Sequence, residues 1–518
     1  MEAFRAAAAT RVLSAGNAVA GGTHGAGRRR WLLPVVLAAL AVPVATGAQT
    51  LTVSWDPIRE TDIAGYLVAM REVPSGVTRR IDVGLRTTWP TPPLAAGGLY
   101  CFAVQAYNTS GLSSAPSAEV CAMAGVAQAA LPATLPDWLA HYGLAANPGD
   151  GDADGDGLGN AAEFAAGTNP LVPNVAYLTE GATGVFAERL AIVNPDVVPA
   201  DVDLRFLLDS DVPRQESIWL AARSRVTVDV NRLLGGGGIA SSVVMTVRRG
   251  GAVIERTMSW SGRAGHLAAH TAKASPAPRR DWWLAEGTAS WFDTWLLVAN
   301  PHPWAVSLDI DFLVDDGRVV SRRYTAGAES RFSLLANSVS ELAGRAFAAR
   351  VRAGSEVTVE RAMYFGLDGA LWKGGHVSPA IQAPARAWFV AEGRTGPFFD
   401  TWLLIGNPGT TAATVTLRYL TPAGEARREV RQVAASSRLT IHLDELPGLE
   451  DTEVSVALDS TVPIVVERSM YWPGEPRSWY EGHNSTGLTR LGTLWVLAEG
   501  EVGGPRRAET YILVANPG

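Results

Sequence analysis

Cysteine and lysine are scarce in this chain. Of its 518 residues two are cysteines, and of the 44 basic residues only Lys273 and Lys373 are lysines. We interpret the excess of arginine as the codon bias of a GC-rich genome. The two cysteines, Cys101 and Cys121, form an even count, which in an exported chain favours a single disulfide.

Positive charge and catalytic motifs are also lacking. The formal net charge is −7, and because residues 1–48 carry five arginines against one glutamate, the remainder is nearer −11. This balance argues against a nucleic-acid partner, which would require a basic face. The sequence has no Gly-x-Ser-x-Gly, His-Glu-x-x-His, Walker or dinucleotide-binding motif. We therefore expect a protein that is not an enzyme and binds no nucleotide.

Residues 1–48 have the pattern of a secretory signal peptide. Three arginines at 28–30 precede an apolar run from Trp31 to Val44, and small residues follow up to Ala48. An uncleaved membrane anchor is the alternative, but it needs about 20 apolar residues, and this run is shorter and contains two prolines. We predict cleavage after Ala48 and an exported protein, extracellular or held at the cell surface.

Residues 49–124 alternate apolar and polar side chains in short segments separated by turn residues, which is typical of a β-sandwich. Trp55 and Tyr66 lie in the first two segments, and Leu94 is followed six residues later by Tyr100. On these residues the segment resembles a fibronectin type III domain, with Trp55 as its core tryptophan and Tyr100 as its tyrosine corner. The resemblance implies a fold, and a role as spacer more often than as binder.

The two cysteines flank the last predicted hairpin of this domain. Cys101 and Cys121 are equally far from Gly111 at its centre, so we expect them to face each other on adjacent antiparallel strands, on the side opposite Phe102 and Val104. Two unpaired surface thiols are the alternative. We predict a Cys101–Cys121 disulfide.

After a linker at 125–136, residues 137–174 contain the pattern of a calcium-binding loop. The predicted ligands follow the twelve-residue EF-hand spacing, with the backbone carbonyl at the seventh position: Asp152, Asp154, Asp156, Leu158, Asn160 and Glu163. With the Gly-Thr-Asn-Pro exit ending at Pro170, the segment resembles thrombospondin type 3-like calcium modules. Dockerins carry similar loops but pair them, and a solvated acidic linker is the other alternative. We predict one structural Ca²⁺ that stiffens the joint to the repeats.

The remaining chain consists of copies of one unit with a period of roughly 106 residues, which is the length of a whole domain. Four paired marks recur along it: Glu-Gly at Glu180, Glu286, Glu392 and Glu499; Asn-Pro at Asn194, Asn300, Asn407 and Asn516; Ser-Arg at Ser224, Ser330 and Ser437; and Glu-Arg at Glu255, Glu360 and Glu467. We place repeats at 175–280, 281–386 and 387–493, with a truncated fourth at 494–518. We expect the sequence to be a fragment.

Alternating apolar residues predict about seven strands per repeat, and each repeat resembles an Ig-like sandwich of the kind found in large secreted bacterial surface proteins. The predicted fold class is therefore mostly β, with several β-sandwich domains in tandem and one short helical calcium segment. Because the opening glutamates recur with the Glu-Arg arginines, we predict a structural ion pair between Glu392 and Arg468, with Arg468 rather than Glu467 facing the opening strand.

Other recurring residues have competing interpretations. Tryptophans such as Trp283, Trp295, Trp402 and Trp472 could stack on sugars, but their place in apolar strands favours core packing. The histidines that follow glycine (His266, His376, His483) occur once per repeat and cannot form a metal site within one repeat. We expect a non-catalytic adhesion protein or extended calcium-stiffened scaffold. Its partner would be a surface polysaccharide or another extracellular protein. The alternatives are a polysaccharide-binding protein and the accessory region of a secreted hydrolase.

Overall fold

A computed structural model describes residues 50–55, 62–73, 77–95, 98–114, 116–117, 120–124, 131–146, 149–209, 212–261, 267–368, 371–473, 479–493, 495–500, 502–503 and 509–518. The predicted signal peptide lies outside these residues. In the part of the chain that is described, no helix combines the length and apolar character needed to span a membrane. The fold is mostly β, as predicted, with several sheets packed as sandwiches.

The first domain is a sandwich of one four-stranded and one two-stranded sheet. Strand order is β3-β2-β5-β6 in the larger sheet and β1-β4 in the smaller. Its strands are β1 (Thr52–Ser54), β2 (Ile63–Val73), β3 (Thr78–Gly84), β4 (Thr88–Pro90), β5 (Leu99–Asn108) and β6 (Val120–Met123). The rings of Trp55 and Tyr66 are in edge contact in the core, and the Tyr100 hydroxyl accepts a hydrogen bond from the Ala95 amide at 3.1 Å. The fibronectin type III resemblance therefore holds at the level of fold.

Two short helices, α1 (Leu135–His141) and α2 (Asn160–Ala166), flank the predicted calcium loop. Thr134 caps α1, and the helix buries Trp138, whose ring meets Phe164 of α2 at a centroid distance of 5.6 Å. Gly167, with φ of 73°, ends α2 in the left-handed conformation that glycine favours. The helices thus form a small cluster that presents the loop between them.

Each complete repeat is a sandwich of two four-stranded antiparallel sheets. The first repeat pairs β10-β9-β12-β7 in one sheet and β11-β8-β13-β14 in the other. Its elements are β7 (Val175–Leu178), β8 (Ala187–Asn194), β9 (Ala200–Leu208), β10 (Arg214–Leu220), β11 (Ser224–Asp229), α3 (Val230–Leu234), β12 (Ser241–Arg249), β13 (Val253–Ser261) and β14 (Leu267–Lys273).

The second and third repeats have the same strand order, except that one long strand serves both sheets. The second repeat contains β15 (Arg279–Leu284), β16 (Phe292–Asn300), β17 (Val306–Val314), β18 (Val319–Ala326), β19 (Ser330–Leu335), β20 (Phe347–Asp368) and β21 (Leu371–Pro379). The third contains β22 (Ala385–Val390), β23 (Asp400–Asn407), β24 (Ala413–Thr421), β25 (Gly424–Val433), β26 (Ser437–His442), β27 (Ser455–Trp472) and β28 (Glu481–Thr486). Single 3₁₀ turns at Ala336–Ser338, Ser340–Leu342 and Leu443–Glu445 complete them.

The first repeat divides the long strand into β12 and β13 at Gly250. Gly250 has φ of 73°, and a Cβ at this position would lie 2.5 Å from the Pro199 carbonyl oxygen, so only glycine fits. In β17 the buried residues alternate with more exposed ones, as Leu308, Ile310 and Phe312 all point into the core. This alternation, visible in the sequence, positions the strands over one core per repeat.

The Asn-Pro asparagines clamp a turn in every complete repeat. Asn407 is fully buried; its side-chain amide donates to the carbonyls of Thr411 and Ala434 at 2.8 and 3.0 Å and accepts from the Gly409 amide at 3.0 Å. Asn194 and Asn300 make equivalent bonds. The motif is recurrent because this one amide satisfies several buried backbone groups at the sandwich corner.

The three complete repeats pack directly on one another. The last strands meet, with β21 in contact with both β14 and β28. Between the first and second repeats Phe186, Trp260 and Tyr364 share one apolar cluster, and between the second and third Phe365 and Tyr471 share another. The repeats are therefore joined by apolar clusters that neighbouring repeats share.

Candidate functional site

The predicted calcium loop has its acidic side chains gathered around one point. Carboxylate oxygens of Asp152, Asp154 and Asp156 all lie within 4.8 Å of one another. Gly155 and Gly157 have positive φ of 79° and 96°, which allows the chain to turn tightly around the group. Amides of the loop bind the same carboxylates from behind, as Gly157 does with Asp152 at 2.9 Å. The local backbone therefore holds the three acids together in spite of their repulsion.

Glu163 of α2 lies beside this acidic group, and its side chain is fully buried. Among the described residues its Oε2 atom has no hydrogen-bond partner, and neither has the buried Oδ2 atom of Asp154. Burial, then the charge of Asp156, raises the pKa of Asp154 to about 7. Burial, then the charge of Asp154, raises the pKa of Glu163 to about 8. Free carboxylates are thus disfavoured here unless a positive charge joins them.

The other two predicted ligands have different environments. Asn160 is fully buried at the start of α2, and its side-chain oxygen accepts a long hydrogen bond from the Ala153 amide at 3.3 Å. Leu158, predicted to contribute only its carbonyl, has an exposed side chain. All six predicted positions therefore belong to one loop and the first turn of its helix.

Asn174 is a residue that the sequence did not indicate. Its side-chain amide donates to Glu163 Oε1 at 3.0 Å, and its backbone amide donates to Asp156 Oδ2 at 2.8 Å. Its own carbonyl accepts from Val247 in the first repeat at 2.8 Å. Asn174 therefore joins the loop to the repeat through a single residue.

The loop segment is docked on the first repeat at a second point. The Tyr142 hydroxyl donates to Asp196 Oδ2 at 2.6 Å, and Asn169 donates to the same oxygen at 3.1 Å. Asp196 follows the Asn-Pro pair of that repeat. In the described residues, hydrogen bonds thus join the segment that contains the predicted calcium loop to the first repeat.

Cys101 and Cys121 lie directly opposite each other in the register of β5 and β6. Cys101 is buried, with an exposure of 2%, although we had placed it on the outward face. This register brings the two backbones to the separation that a cross-strand disulfide requires. The bond itself stays a prediction.

The largest set of buried charges lies between the repeats. Arg256 of the first repeat contacts its own opening residue Glu180 at 3.2 Å and, across the boundary, Glu360 of the second repeat at 3.1 Å. Glu360 accepts hydrogen bonds from the amides of Thr179 and Glu180 at 3.0 and 2.9 Å. Both members of the Glu-Arg pair therefore make buried contacts. The arginine binds the opening glutamate of its own repeat, and the glutamate binds the opening segment of the preceding repeat.

The second boundary repeats this arrangement. Arg361 contacts Glu286 at 3.1 Å and Glu467 of the third repeat at 2.6 Å. Glu467 accepts from the Ala285 amide at 2.9 Å, and Arg361, like Glu467, is fully buried. Burial raises the pKa of Glu467 even though Arg361 opposes the shift. The two boundaries therefore share one design.

Tyrosine and histidine complete each boundary. The Tyr364 hydroxyl donates to Glu180 at 2.5 Å and contacts His270 at 3.3 Å; Tyr471 makes the same contacts to Glu286 and His376, both at 3.0 Å. The histidine of the first repeat at this position is His270, because it pairs with Met258 as His376 pairs with Met363. His266, which the sequence had matched to it, lies outside the described residues.

The Ser-Arg arginines hold the opening segment of the preceding repeat. Arg438 donates to the carbonyls of Gly287 and Phe347 at 3.0 and 2.8 Å, and Arg331 donates to those of Gly181 and Ser241. These long-range contacts join motifs that are far apart in sequence. No local pattern could have assigned them.

In the third repeat the predicted pair is present. Arg468 contacts the Glu392 carboxylate and also the His483 ring at 3.1 Å. Arg468, not Glu467, faces Glu392, since Glu467 turns to the second repeat. Glu392 and His483 have side-chain exposures of 35% and 39%, whereas Glu286 has 8%. The third repeat therefore has the same glutamate, arginine and histidine as the other two, but its glutamate and histidine are more exposed to solvent.

Two further titratable groups lie near these boundaries. Glu188, fully buried beside Gly181, has its pKa raised to about 8, chiefly by burial. In the third repeat His442 Nε2 lies 2.5 Å from Asp400 and 3.5 Å from Asp444, and its ring stacks on Trp402. The contacts of His442 with the carboxylates of Asp400 and Asp444 account for the proximity of these three side chains.

The tryptophans singled out in the sequence are half-buried. Trp283 and Trp402 pack against the core of the third repeat, and Trp295 packs in the cluster between the first and second repeats. Trp304, with an exposure of 54%, and Trp495, with 59%, are the more exposed indoles. The recurrent tryptophans are therefore structural rather than a ready platform for sugar rings.

Comparison with known proteins gives a family match over part of the chain. Residues 237–475 match the model of a family of unknown function (DUF5719). Among curated proteins none matches this sequence.

Several solved structures are similar at a low level. A tetra-tandem repeat from the extending region of a large adhesion protein is 12% identical, with 88% of this chain and 98% of that chain covered and a TM-score of 0.13. A two-domain fibronectin type III segment of chicken tenascin is 11% identical (46% and 99% covered, TM-score 0.15), and Thermotoga maritima 1070 is 21% identical (21% and 98% covered, TM-score 0.20). At these scores the similarities carry no functional assignment.

Proposed function

We propose that this chain is an exported, non-catalytic scaffold whose repeats form a rigid platform for adhesion at the cell surface. The observation that carries the proposal is the use of buried charges: Arg256 and Arg361 each join the opening of their own repeat to a glutamate of the next. Buried ion pairs contribute little net stability compared with apolar packing, and our hypothesis is that in this protein they specify one relative arrangement of the repeats. A platform of fixed geometry suits presentation of a binding surface.

The calcium loop belongs to the same proposal. Asp152, Asp154, Asp156, Asn160, Glu163 and the Leu158 carbonyl would hold the ion, and the unpartnered oxygens of Asp154 and Glu163 fit that role. Ca²⁺ would supply the positive charge that a group of buried carboxylates lacks. Because Asn174 binds two of these acids and also the first repeat, an ordered loop would fix the helical segment on the repeats.

Rigidity can be measured on the full chain. Spin labels at Arg232→Cys and Arg428→Cys, exposed sites in the first and third repeats, with Cys101 and Cys121 replaced by serine, should give one narrow distance distribution in pulsed electron resonance. Glu467→Ala should broaden it, whereas Glu356→Ala, at an exposed pair with Arg280, should not. A broad distribution in the starting protein would contradict the platform.

The partner is tested separately from rigidity. We expect the full chain to be retained on cells or extracellular protein, and to be retained there equally well after Trp304→Ala. Retention on insoluble polysaccharide that Trp304→Ala abolishes would instead favour the polysaccharide-binding alternative, since Trp304 is an exposed indole that stacks on His302. Hydrolysis of any polymer by the purified chain would contradict the non-catalytic assignment.

A further inference from the structure

The opening of the fourth copy is bound to the first repeat in the way that the repeats bind one another. The Glu499 amide donates to Glu255 at 2.7 Å, and Arg225 donates to the Ala498 carbonyl at 2.7 Å and contacts the Glu499 carboxylate at 2.9 Å. Glu255 and Arg225 are the Glu-Arg glutamate and the Ser-Arg arginine of the first repeat. They are the residues that correspond to Glu360 and Arg331 of the second.

The Asn-Pro turn of the fourth copy lies against the third repeat. Arg418 of β24 donates to the Pro517 carbonyl at 3.1 Å. The corresponding residue of the first repeat, Arg205 of β9, contacts Glu329 of the second repeat, whose amide is bonded to the carbonyl of His302 next to the Asn-Pro pair. The fourth copy therefore touches the third repeat on one side and the first repeat on the other.

A cavity of about 450 Å³ lies in the space between them. It is lined by Ile254 and Glu255 from the first repeat, by Glu392, Arg468 and Ser485 from the third, and by Leu497. Glu392, Arg468 and His483 form the half of a boundary that Glu286, Arg361 and His376 form in the second repeat. At that boundary the third repeat supplies the other half, which is a glutamate, a tyrosine and an arginine.

We infer that Glu392, Arg468 and His483 are the docking site for a complete fourth repeat, which closes the repeats into a ring of four. Each repeat in this ring holds the opening segment of the one before it, and the first holds that of the fourth. The Glu-Arg glutamate of the fourth repeat would contact Arg468 and accept hydrogen bonds from the amides of Ala391 and Glu392. Its tyrosine would donate to the Glu392 carboxylate. Its Ser-Arg arginine would donate to the Gly393 carbonyl. This assembly is independent of whether the platform binds polysaccharide or protein.

The chain offers a direct way to complete the fourth copy. Because residues 407–409 and 516–518 are both Asn-Pro-Gly, residues 410–493 can be appended after Gly518 of the full chain. Hydrogen exchange of the Ala391 and Glu392 amides should slow at least tenfold in this extended protein, which should be a monomer. Glu467→Ala in the appended part alone should restore the original exchange rates. Unchanged exchange, or a dimer, would overturn the inference.

The existing chain provides a second test that does not depend on the extension. Glu255→Ala should speed hydrogen exchange of the Glu499 amide at least tenfold, because this amide loses its acceptor. Glu356→Ala, at an exposed ion pair with Arg280, serves as the control and should leave that exchange unchanged. Equal exchange in Glu255→Ala and in the starting protein would overturn the ring.

Discussion

Glu467 of the third repeat lies 2.6 Å from Arg361 of the second, and both side chains are fully buried. The same glutamate accepts a hydrogen bond from the Ala285 amide. Two repeats therefore meet at one buried carboxylate, which also accepts a hydrogen bond from the Asn484 side-chain amide at 3.2 Å. A change at this residue affects the boundary rather than one domain.

Glu467→Ala should destabilise the boundary strongly. Removing one partner leaves Arg361 with an incomplete set of acceptors in a dry site, and breaking a buried pair on one side typically costs about 3–5 kcal/mol. The measurement is denaturant unfolding of the full chain followed by tryptophan fluorescence. Glu425→Ala, which removes an exposed ion pair with Arg428, is the control. Equal midpoints for the two variants would show that the boundary contributes nothing.

The calcium prediction uses Glu163. Titration calorimetry of the full chain should detect about one Ca²⁺ ion, and saturation at a hundredfold excess over the Kd should stabilise the segment by about 2.7 kcal/mol. Glu163→Gln should remove most of both effects, because it replaces the buried carboxylate of the twelfth loop position. Asp137→Asn, an exposed acid in α1, should bind as the starting protein does. Identical melting with calcium and with chelator would reject the site.

The disulfide prediction concerns Cys101 and Cys121, which are paired in register. Peptide mapping of the exported protein without reductant should find them joined. Their reduction should lower the stability of the first domain by about 3 kcal/mol, the loop-entropy value for a closed loop of about 20 residues. Recovery of both residues as alkylated thiols would contradict the bond. The repeats, which contain no cysteine, serve as an internal control for reduction.

Glu188 should make stability depend on pH. Burial raises its pKa to about 8 in the folded chain, whereas an unfolded glutamate titrates near 4.3. The folded state thus binds the proton more tightly, so the stability that it contributes is complete below about pH 4.3 and is lost as pH rises toward 8. Glu188→Gln should flatten the dependence of unfolding free energy on pH between 5 and 8. An unchanged slope would show that Glu188 is paired.

The sequence predicted what depends on local pattern. Alternation along segments such as Val306–Val314 gave strands, and the spacing from Asp152 to Glu163 gave one loop and one helix start. The recurrence of the Glu-Gly and Glu-Arg pairs predicted an ion pair between the opening glutamate and the Glu-Arg arginine of a repeat. What was missed depends on contacts between distant segments: Glu360 reaches Glu180 across 180 residues, and Asn174 has no motif. Recurrence indicated that the Glu-Arg glutamates have a structural role. It did not indicate that Glu360 and Glu467 contact the preceding repeat.

Arg361 and Arg468 occupy the same position in successive repeats, so the losses of stability on replacing each by alanine can be compared directly. Arg361→Ala should cost about 3–5 kcal/mol, because it leaves Glu286 and Glu467 buried without their cation. Arg468→Ala should cost less, since its partner Glu392 keeps access to water and can be screened there. Denaturant unfolding of both full-length variants measures the difference, with Arg428→Ala as an exposed control. If Arg468→Ala were as damaging as Arg361→Ala, the solvent exposure of Glu392 would not moderate the loss. The third repeat would then need no fourth to complete its boundary.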